Sequence, residues 1–349
     1  MNSLKDNVRL QPIAERSVWM PQDLANDQHW THQLTDSEKQ ELHDTTLRAC
    51  KRKLTPGEFE KTDFPLPMLN PRLAALVDEV ENGRGVALLK GMPVADYDEE
   101  QLRILFWGFG LHTGDVISQN SRGQRLAEVT DRGNSYQDPN ARGFATNAEL
   151  LPHVDTSDMT VLLCVKAAKS GGRSRVVSST TVYNTVLKEH PEHLKVLYRG
   201  FYNDLRGEGP TGNIDELTHN RIPVYSNHAG RVSCSFNSRM IKGALAKRGE
   251  TLEPEQQDAF DHMCEVTRRE ELAYWFTLQP GDIQMLSNHS VFHSRTQYQD
   301  HIDPKEKRRL FRLWVNIPNG RALADNFSDR YNTGPRGGVA TGDGARYTF

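Results

Sequence analysis

The rhythm of apolar and polar positions changes near residue 85. Before it the pattern reads as mainly helical. Thr35-Asp36-Ser37-Glu38 is an N-cap signal ahead of a polar helix, and Pro71 stands near the start of Leu73-Ala74-Ala75-Leu76-Val77. Strand-like material begins at Gly85-Val86-Ala87-Leu88-Leu89; after one more helix over 99–109, the chain turns to short apolar runs punctuated by Gly, Asn, Asp and Ser. They fall at 125–129, 160–165, 174–177, 222–225, 232–236, 283–286 and 311–317. Helical interruptions are expected over 181–199, broken or kinked at Pro191, and over 254–276. Many short strands with helical insertions predict a mainly β chain with flanking helices around a jelly-roll-like core. A doubly wound nucleotide-binding sheet is disfavoured, because neither G-x-G-x-x-G nor G-x-x-x-x-G-K-[ST] occurs.

The same pattern divides a single domain, 1–349, into a mainly helical extension over 1–84, a core with helical insertions over 85–320 and a glycine-rich tail over 321–349. The tail is densest in glycine over 334–344, which predicts disorder; Tyr347 and Phe349 leave a second reading, a lid over a pocket.

Charge narrows the partners. The 43 Lys+Arg and 46 Asp+Glu are interleaved and give a net charge of −3, so no single-sign field draws the chain to nucleic acid or anionic lipid. The longest apolar stretches, such as 159–165, fall far short of the ~20 residues of a bilayer span, and 1–19 is too polar for a signal peptide, so a cytoplasmic location is expected. Cys50, Cys164, Cys234 and Cys264 are widely spaced with no C-x-x-C pair, which indicates neither a zinc ribbon nor a disulfide framework.

The chemistry concentrates in His153-Val154-Asp155. On a strand or strand entry the period of two puts both side chains on one face, where an imidazole and a carboxylate can reach one ion. A distant second His would complete a two-His-one-carboxylate facial triad suited to Fe(II). With 13 His in the chain the dyad alone carries little information, and a second copy, His301-Ile302-Asp303, precedes a charged stretch and no further His. It reads as a solvated loop. The possible third ligands are His190, His193, His219, His228, His262, His289, His293 and His301. His190 and His193 flank Pro191 on an expected exposed helix, His262 lies in an acidic helix, and His219 and His228 sit in turn-rich sequence.

His293 is favoured by its downstream sequence. In Arg308-Arg309-Leu310-Phe311-Arg312-Leu313-Trp314-Val315-Asn316-Ile317 the strand period places Arg308, Leu310, Arg312 and Trp314 on one face and the remaining apolar residues on the other. A strand apolar on both sides is buried, and inward-facing guanidinium groups then require anions. The anions are either protein carboxylates or an acidic ligand gripped beside a metal.

Leu151-Pro152-His153-Val154-Asp155, Ser170-Gly171-Gly172-Arg173-Ser174, Pro280-Gly281-Asp282, His293-Ser294-Arg295-Thr296 and the arginine-rich last strand, in this order from about 85 to 317, resemble the taurine dioxygenase (TauD/TfdA) family of Fe(II)/2-oxoglutarate-dependent dioxygenases. The resemblance implies a double-stranded β-helix core of jelly-roll, cupin-like type. It implies His153, Asp155 and His293 as iron ligands, Arg308 as the partner of the distal 2-oxoglutarate carboxylate, and Ser174 where the family usually has a Thr bonding that carboxylate. It implies Arg312 as a holder of an acidic group on the primary substrate and Gln119 as a pocket-lining residue. Near the positions where the taurine enzyme grips its sulfonate the chain has Gly114 and Ile117, which argues against taurine. With O2 as second cosubstrate, the expected activity is oxidation of an unactivated C–H bond by hydroxylation, desaturation or ring closure. The expected substrate is a small carboxylate-bearing molecule, an amino acid or a natural-product intermediate. A catabolic sulfonate or phenoxyacid dioxygenase and a non-catalytic 2-oxoglutarate sensor are the alternatives.

Overall fold

The computed structural model describes residues 8–135 and 142–342. The principal strands are Thr31–Gln33 (β1), Val86–Lys90 (β2), Asp115–Ile117 (β3), Leu126–Val129 (β4), Leu150–His153 (β5), Met159–Lys166 (β6), Ser174–Ser178 (β7), Ala273–Phe276 (β8), Ile283–Ser287 (β9), Val291–Arg295 (β10) and Arg309–Asn316 (β11). The principal helices are Asp36–Lys51 (α1), Asn70–Asn82 (α2), Glu99–Gly110 (α3), Ser179–Glu189 (α4), Pro191–Arg199 (α5), Ser238–Arg248 (α6) and Pro254–Val266 (α7).

A major sheet runs β1-β2-β9-β6-β11-β3, with β4 also paired to β11, and a minor sheet runs β8-β7-β10-β5. Side-chain parity sorts the strands into layers. Ala87, Leu89, Phe311, Leu313 and Val315 pack with α1, α2 and α3 on one face of the major sheet. Val86, Leu88, Leu286 and Leu310 point the other way, into a cluster shared with Val176 and Val291 of the minor sheet. The outer face of the minor sheet, through Val177 and Phe292, packs on α4, α5 and α7. Two sheets are therefore stacked between helical layers, and the space between them opens at one end into the candidate site.

Local signals account for several boundaries. Thr35 caps α1: its Oγ1 accepts from the Glu38 amide at 3.2 Å while the Glu38 carboxylate accepts from the Thr35 amide at 2.8 Å. Pro191 opens α5 directly after α4 ends at Glu189, because a proline lacking an N–H fits the first helical turn and not a helix interior.

The structure corrects four expectations. More of the described residues lie in α-helices than in strands, so the chain is not mainly β; α6, whose hydrophobic pattern is interrupted by Lys and Gly, has no counterpart in the sequence reading. The helix expected over 254–276 stops at Val266, and Ala273–Phe276 forms β8 against β7, where Tyr274, Trp275 and Phe276 suit a pleated surface better than a helix. The run at 222–225 pairs as a strand only from Tyr225 onward, with Ile222 making an isolated bridge to Phe201. His193 is buried rather than exposed, stacked on His190 with ring centroids 4.7 Å apart and bonded to His262 at 3.0 Å. Among the described residues no helix is long and apolar enough to cross a membrane.

Candidate active site

Strand pairing brings the predicted ligands together. In the β10–β5 pairing His293 lies directly opposite His153, and their ring centroids are 4.4 Å apart. Asp155, two residues past His153, turns its carboxylate to the same face: Oδ1 is 3.9 Å from His153 Nε2 and Oδ2 is 3.8 Å from His293 Nε2. Each residue offers one ligand atom, and the three lie within 4.8 Å of one another. Cis ligands on bonds of about 2.1 Å would stand ~3 Å apart, so a small inward movement closes the set on an ion. His153 Nδ1 donates to the Leu151 carbonyl at 2.8 Å, which leaves Nε2 as the lone-pair nitrogen facing the site.

Asp155 is braced from three directions. Its amide donates to Asn288 Oδ1 at 3.0 Å, and Oδ2 accepts from Thr160 Oγ1 and Trp314 Nε1, both at 2.9 Å. Asn288 is fixed in turn, its Nδ2 donating to Ser157 Oγ and Thr160 Oγ1. Burial pushes the Asp155 carboxyl upward, but Arg312, the two histidines and Thr160 outweigh it and hold the group well below the usual carboxylate range. Burial, reinforced by His153, draws the His293 imidazole down to about 3 against the pull of Asp155. An ionised carboxylate beside a neutral imidazole is the protonation state a metal requires.

Two chambers meet at this triad. One, of about 60 Å³, is lined by Ser174, Arg308 and the triad. Arg308 is buried and its Nη1 has no hydrogen-bond partner, while the Tyr298 ring lies 5.0 Å from the guanidinium carbon. Gly172 permits this placement: at φ +68°, its absent Cβ would stand 3.2 Å from Arg308 Nε. A buried guanidinium with an open donor and a serine hydroxyl in the same cavity fit a carboxylate whose other end reaches the metal.

The second chamber, of about 110 Å³, shares His153, Asp155 and Arg312 with the first and includes Gln119, Trp314 and Tyr331. Arg312 is sandwiched between the Phe144 and Trp314 rings at 4.9 Å, with Nη1 3.6 Å from Asp155 Oδ2. Gln119 lines this chamber but is engaged at both ends: Oε1 accepts from Arg312 Nε at 2.7 Å, and Nε2 donates to the Arg125 and Arg312 carbonyls. It orients Arg312.

The tail expected to be disordered is docked as far as it is described. Tyr331 Oη bonds Thr156 Oγ1 at 2.7 Å, Arg330 Nη1 donates to the Asp155 carbonyl at 3.2 Å, Arg336 pairs with Asp158 at 2.7 Å, and Val339 is buried. Scattered polar and aromatic anchors hold it, which glycine content conceals. Tyr347 and Phe349 lie outside the described residues. His112 is committed to Asn70 and the Phe64 carbonyl, and His219, His228 and His301 are exposed. Sequence reasoning missed Thr160, Asn288 and Tyr331. Trp314 stood on the correct face and could have been included by parity alone.

Residues 51–314 match the family described as taurine catabolism dioxygenase TauD, TfdA family. FR-33289 synthase of Streptomyces rubellomurinus (strain ATCC 31215) is 32% identical over 321 residues, 91% of this chain and 94% of that protein. The taurine hydroxylase-like protein SAT17 of Stachybotrys chartarum (strain CBS 109288 / IBT 7711) is 24% identical over 312 residues, 86% of this chain and 79% of its own length. Among solved structures, asparagine oxygenase in complex with Fe(II), 2S,3S-3-hydroxyasparagine and succinate superposes with TM-score 0.66 at 14% identity, covering 82% of this chain and 93% of that one. The non-heme iron oxygenase OrfP in complex with Fe and alpha-ketoglutaric acid gives TM-score 0.61 at 13% identity, with 82% and 94% covered. These structural likenesses establish a common fold.

Proposed function

Since the chain belongs to the taurine catabolism dioxygenase TauD, TfdA family, we propose that it oxidises an unactivated C–H bond of a small acidic molecule, an amino acid or natural-product intermediate, at the expense of 2-oxoglutarate and O2. The observation that carries this reading is the His153, Asp155 and His293 cluster standing between two chambers, one of which ends in a buried arginine with an open donor. The hydroxylated asparagine and arginine bound in asparagine oxygenase and OrfP favour an amino acid, and the name of FR-33289 synthase favours a natural-product intermediate. We read the stacked sheets as the halves of a double-stranded β-helix, and the cytoplasm, where the four free thiols stay reduced, as the place of work.

His153, Asp155 and His293 would hold Fe(II), and Arg308 with Ser174 would hold the distal carboxylate of 2-oxoglutarate. Bound together with O2, that pair supplies the oxidant that removes hydrogen from carbon. The chain's own contribution is placement. Thr160 and Trp314 fix Asp155 Oδ2 so that the carboxylate keeps one orientation. Phe144 and Leu150 wall both chambers and exclude water. Arg312, aligned by Gln119, directs positive charge at an acidic group of the substrate and so aims one C–H bond at the metal.

The test is succinate release by anaerobically purified protein given Fe(II), 2-oxoglutarate and O2. Slow turnover in the wild type, lost in Asp155→Ala and Arg308→Ala, is the expected result. Equal succinate in all three proteins would overturn both the metal and the cosubstrate assignments.

A further inference from the structure

The second chamber is unusually rich in arginine. Besides Arg312 it is lined by Arg142, Arg206 and Arg239, which arrive from three separate segments of the chain. The acids nearby are already engaged. Asp155 belongs to the triad, Glu208 is buried and paired to Arg142, and Asp204 accepts from Lys247 at 2.7 Å. Arg206 differs from its neighbours: its Nε is buried with no hydrogen-bond partner, and its backbone, at φ +51°, is held in the left-handed region that a non-glycine residue adopts only at a cost. Its amide is tied to Asp204 Oδ1 at 2.8 Å, which fixes the turn that projects the side chain inward. Burial, followed by the nearby charge of Arg142, pulls the Arg206 guanidinium down to about 10 against the opposing pull of Glu208 and Asp204, which are committed to Arg142 and Lys247.

The start of α6 also faces this chamber, but Asn237 Oδ1 already accepts from the Arg239 and Met240 amides at 3.1 and 3.3 Å. The helix N–H groups are therefore largely capped, and an incoming anion would be met by side chains.

We propose that Arg206 and Arg142 form an anion subsite, separate from the cosubstrate carboxylate site at Arg308, that grips a tetrahedral oxyanion group of phosphate type carried by the substrate. A carboxylate is planar and is satisfied by one guanidinium fork. Guanidinium groups converging from different segments suit an anion that presents oxygens in three directions. The subsite deepens the dioxygenase reading, on which it relies only for the identity of its ligand as substrate.

The test is calorimetric titration of the metal-free protein with inorganic phosphate, and with acetate in parallel. Wild type is expected to bind phosphate more tightly than acetate. Arg206→Gln should weaken phosphate at least tenfold, Arg308→Gln should leave it within about twofold, and Glu208→Gln should tighten it by releasing Arg142. Because Glu208→Gln acts in the opposite direction, misfolding cannot imitate the pattern. No phosphate binding in the wild type, equal affinity in Arg206→Gln, or acetate bound as tightly as phosphate would each overturn the proposal. Phosphate binding that depends on Arg206 in a protein making no succinate would leave the subsite standing and defeat the dioxygenase reading. Succinate formation with phosphate titrations indifferent to Arg206 would do the reverse.

Discussion

Replacing Trp314 by Phe removes one of the two hydrogen bonds to Asp155 Oδ2 while keeping an aromatic ring against Arg312. The acceptor is buried and ionised, and hydrogen bonds to charged groups contribute about 1.5–3 kcal/mol. At ~1.4 kcal/mol per decade this corresponds to one or two orders of magnitude if the whole loss fell on the ligand's orientation. Thr160 remains at 2.9 Å and Arg312 Nη1 at 3.6 Å, so the lower end applies. We expect about tenfold weaker Fe(II) binding, in line with the ~10–100-fold effects of removing groups that orient metal ligands. Anaerobic calorimetric titration of Fe(II) into wild type, Trp314→Phe, Thr160→Val and the double variant measures it. The double variant should lose more than the sum of the two, because each single variant leaves the other donor in place. Unchanged iron affinity with reduced stability would show that Trp314 is packing and that the carboxylate is held elsewhere.

Acid should weaken the fold through His289, which is buried against Asp158, with Arg330 and Arg321 nearby, and whose imidazole burial draws down to about 4. An unfolded chain takes up this proton below about pH 6.5 and the folded one only near 4, so stability present at neutral pH declines across that window by up to about 3 kcal/mol; urea midpoints at three pH values, compared with His289→Asn, would show the slope lost in the variant. Arg336→Ala breaks the ion pair to buried Asp158 and should cost about 1–2 kcal/mol in urea unfolding; deletion after Asn332 should also raise the substrate KM, and unchanged values would show that the tail only rests on the surface. Phe311→Ala, at a fully buried position of β11, should cost about 3–5 kcal/mol and lower Tm sharply, and a loss under 1 kcal/mol would contradict the layer assignment.

The residues legible in advance are those set by strand periodicity. His153 and Asp155 are two apart, and Arg308 and Arg312 share a face of a strand that is apolar on both sides, so parity alone brings them to one surface. Buried arginines require anions, and the structure separates the two cases: Arg308 retains an open donor, whereas Arg312 stands beside Asp155 and Gln119. Arg142, Arg206 and Tyr331 reach the site from irregular segments, where no period relates a side chain to a face. The strand Ala273–Phe276 is hidden in the sequence because helical residues precede it and its pairing with Ser174–Ser178 is visible only in three dimensions. The tail misleads for a related reason, since composition reports average tendency while a few anchors such as Arg336 decide whether a segment docks.

Strand β11 works as a ruler. At about 3.3 Å per residue Arg308, just before its first residue, and Arg312 stand ~13 Å apart along the chain direction, and pairing with β6 on one side and β4 on the other, regular from Leu310 onward, limits how far that interval can change. The span between the two inward arginines is thus set mainly by the sheet and only weakly by what occupies the chambers. A change of substrate has to be accommodated in the loops that carry Arg142 and Arg206 and in the tail that carries Tyr331, where insertions and replacements leave the ladder intact. New specificities would be sought by diversifying those three segments while leaving the strand untouched.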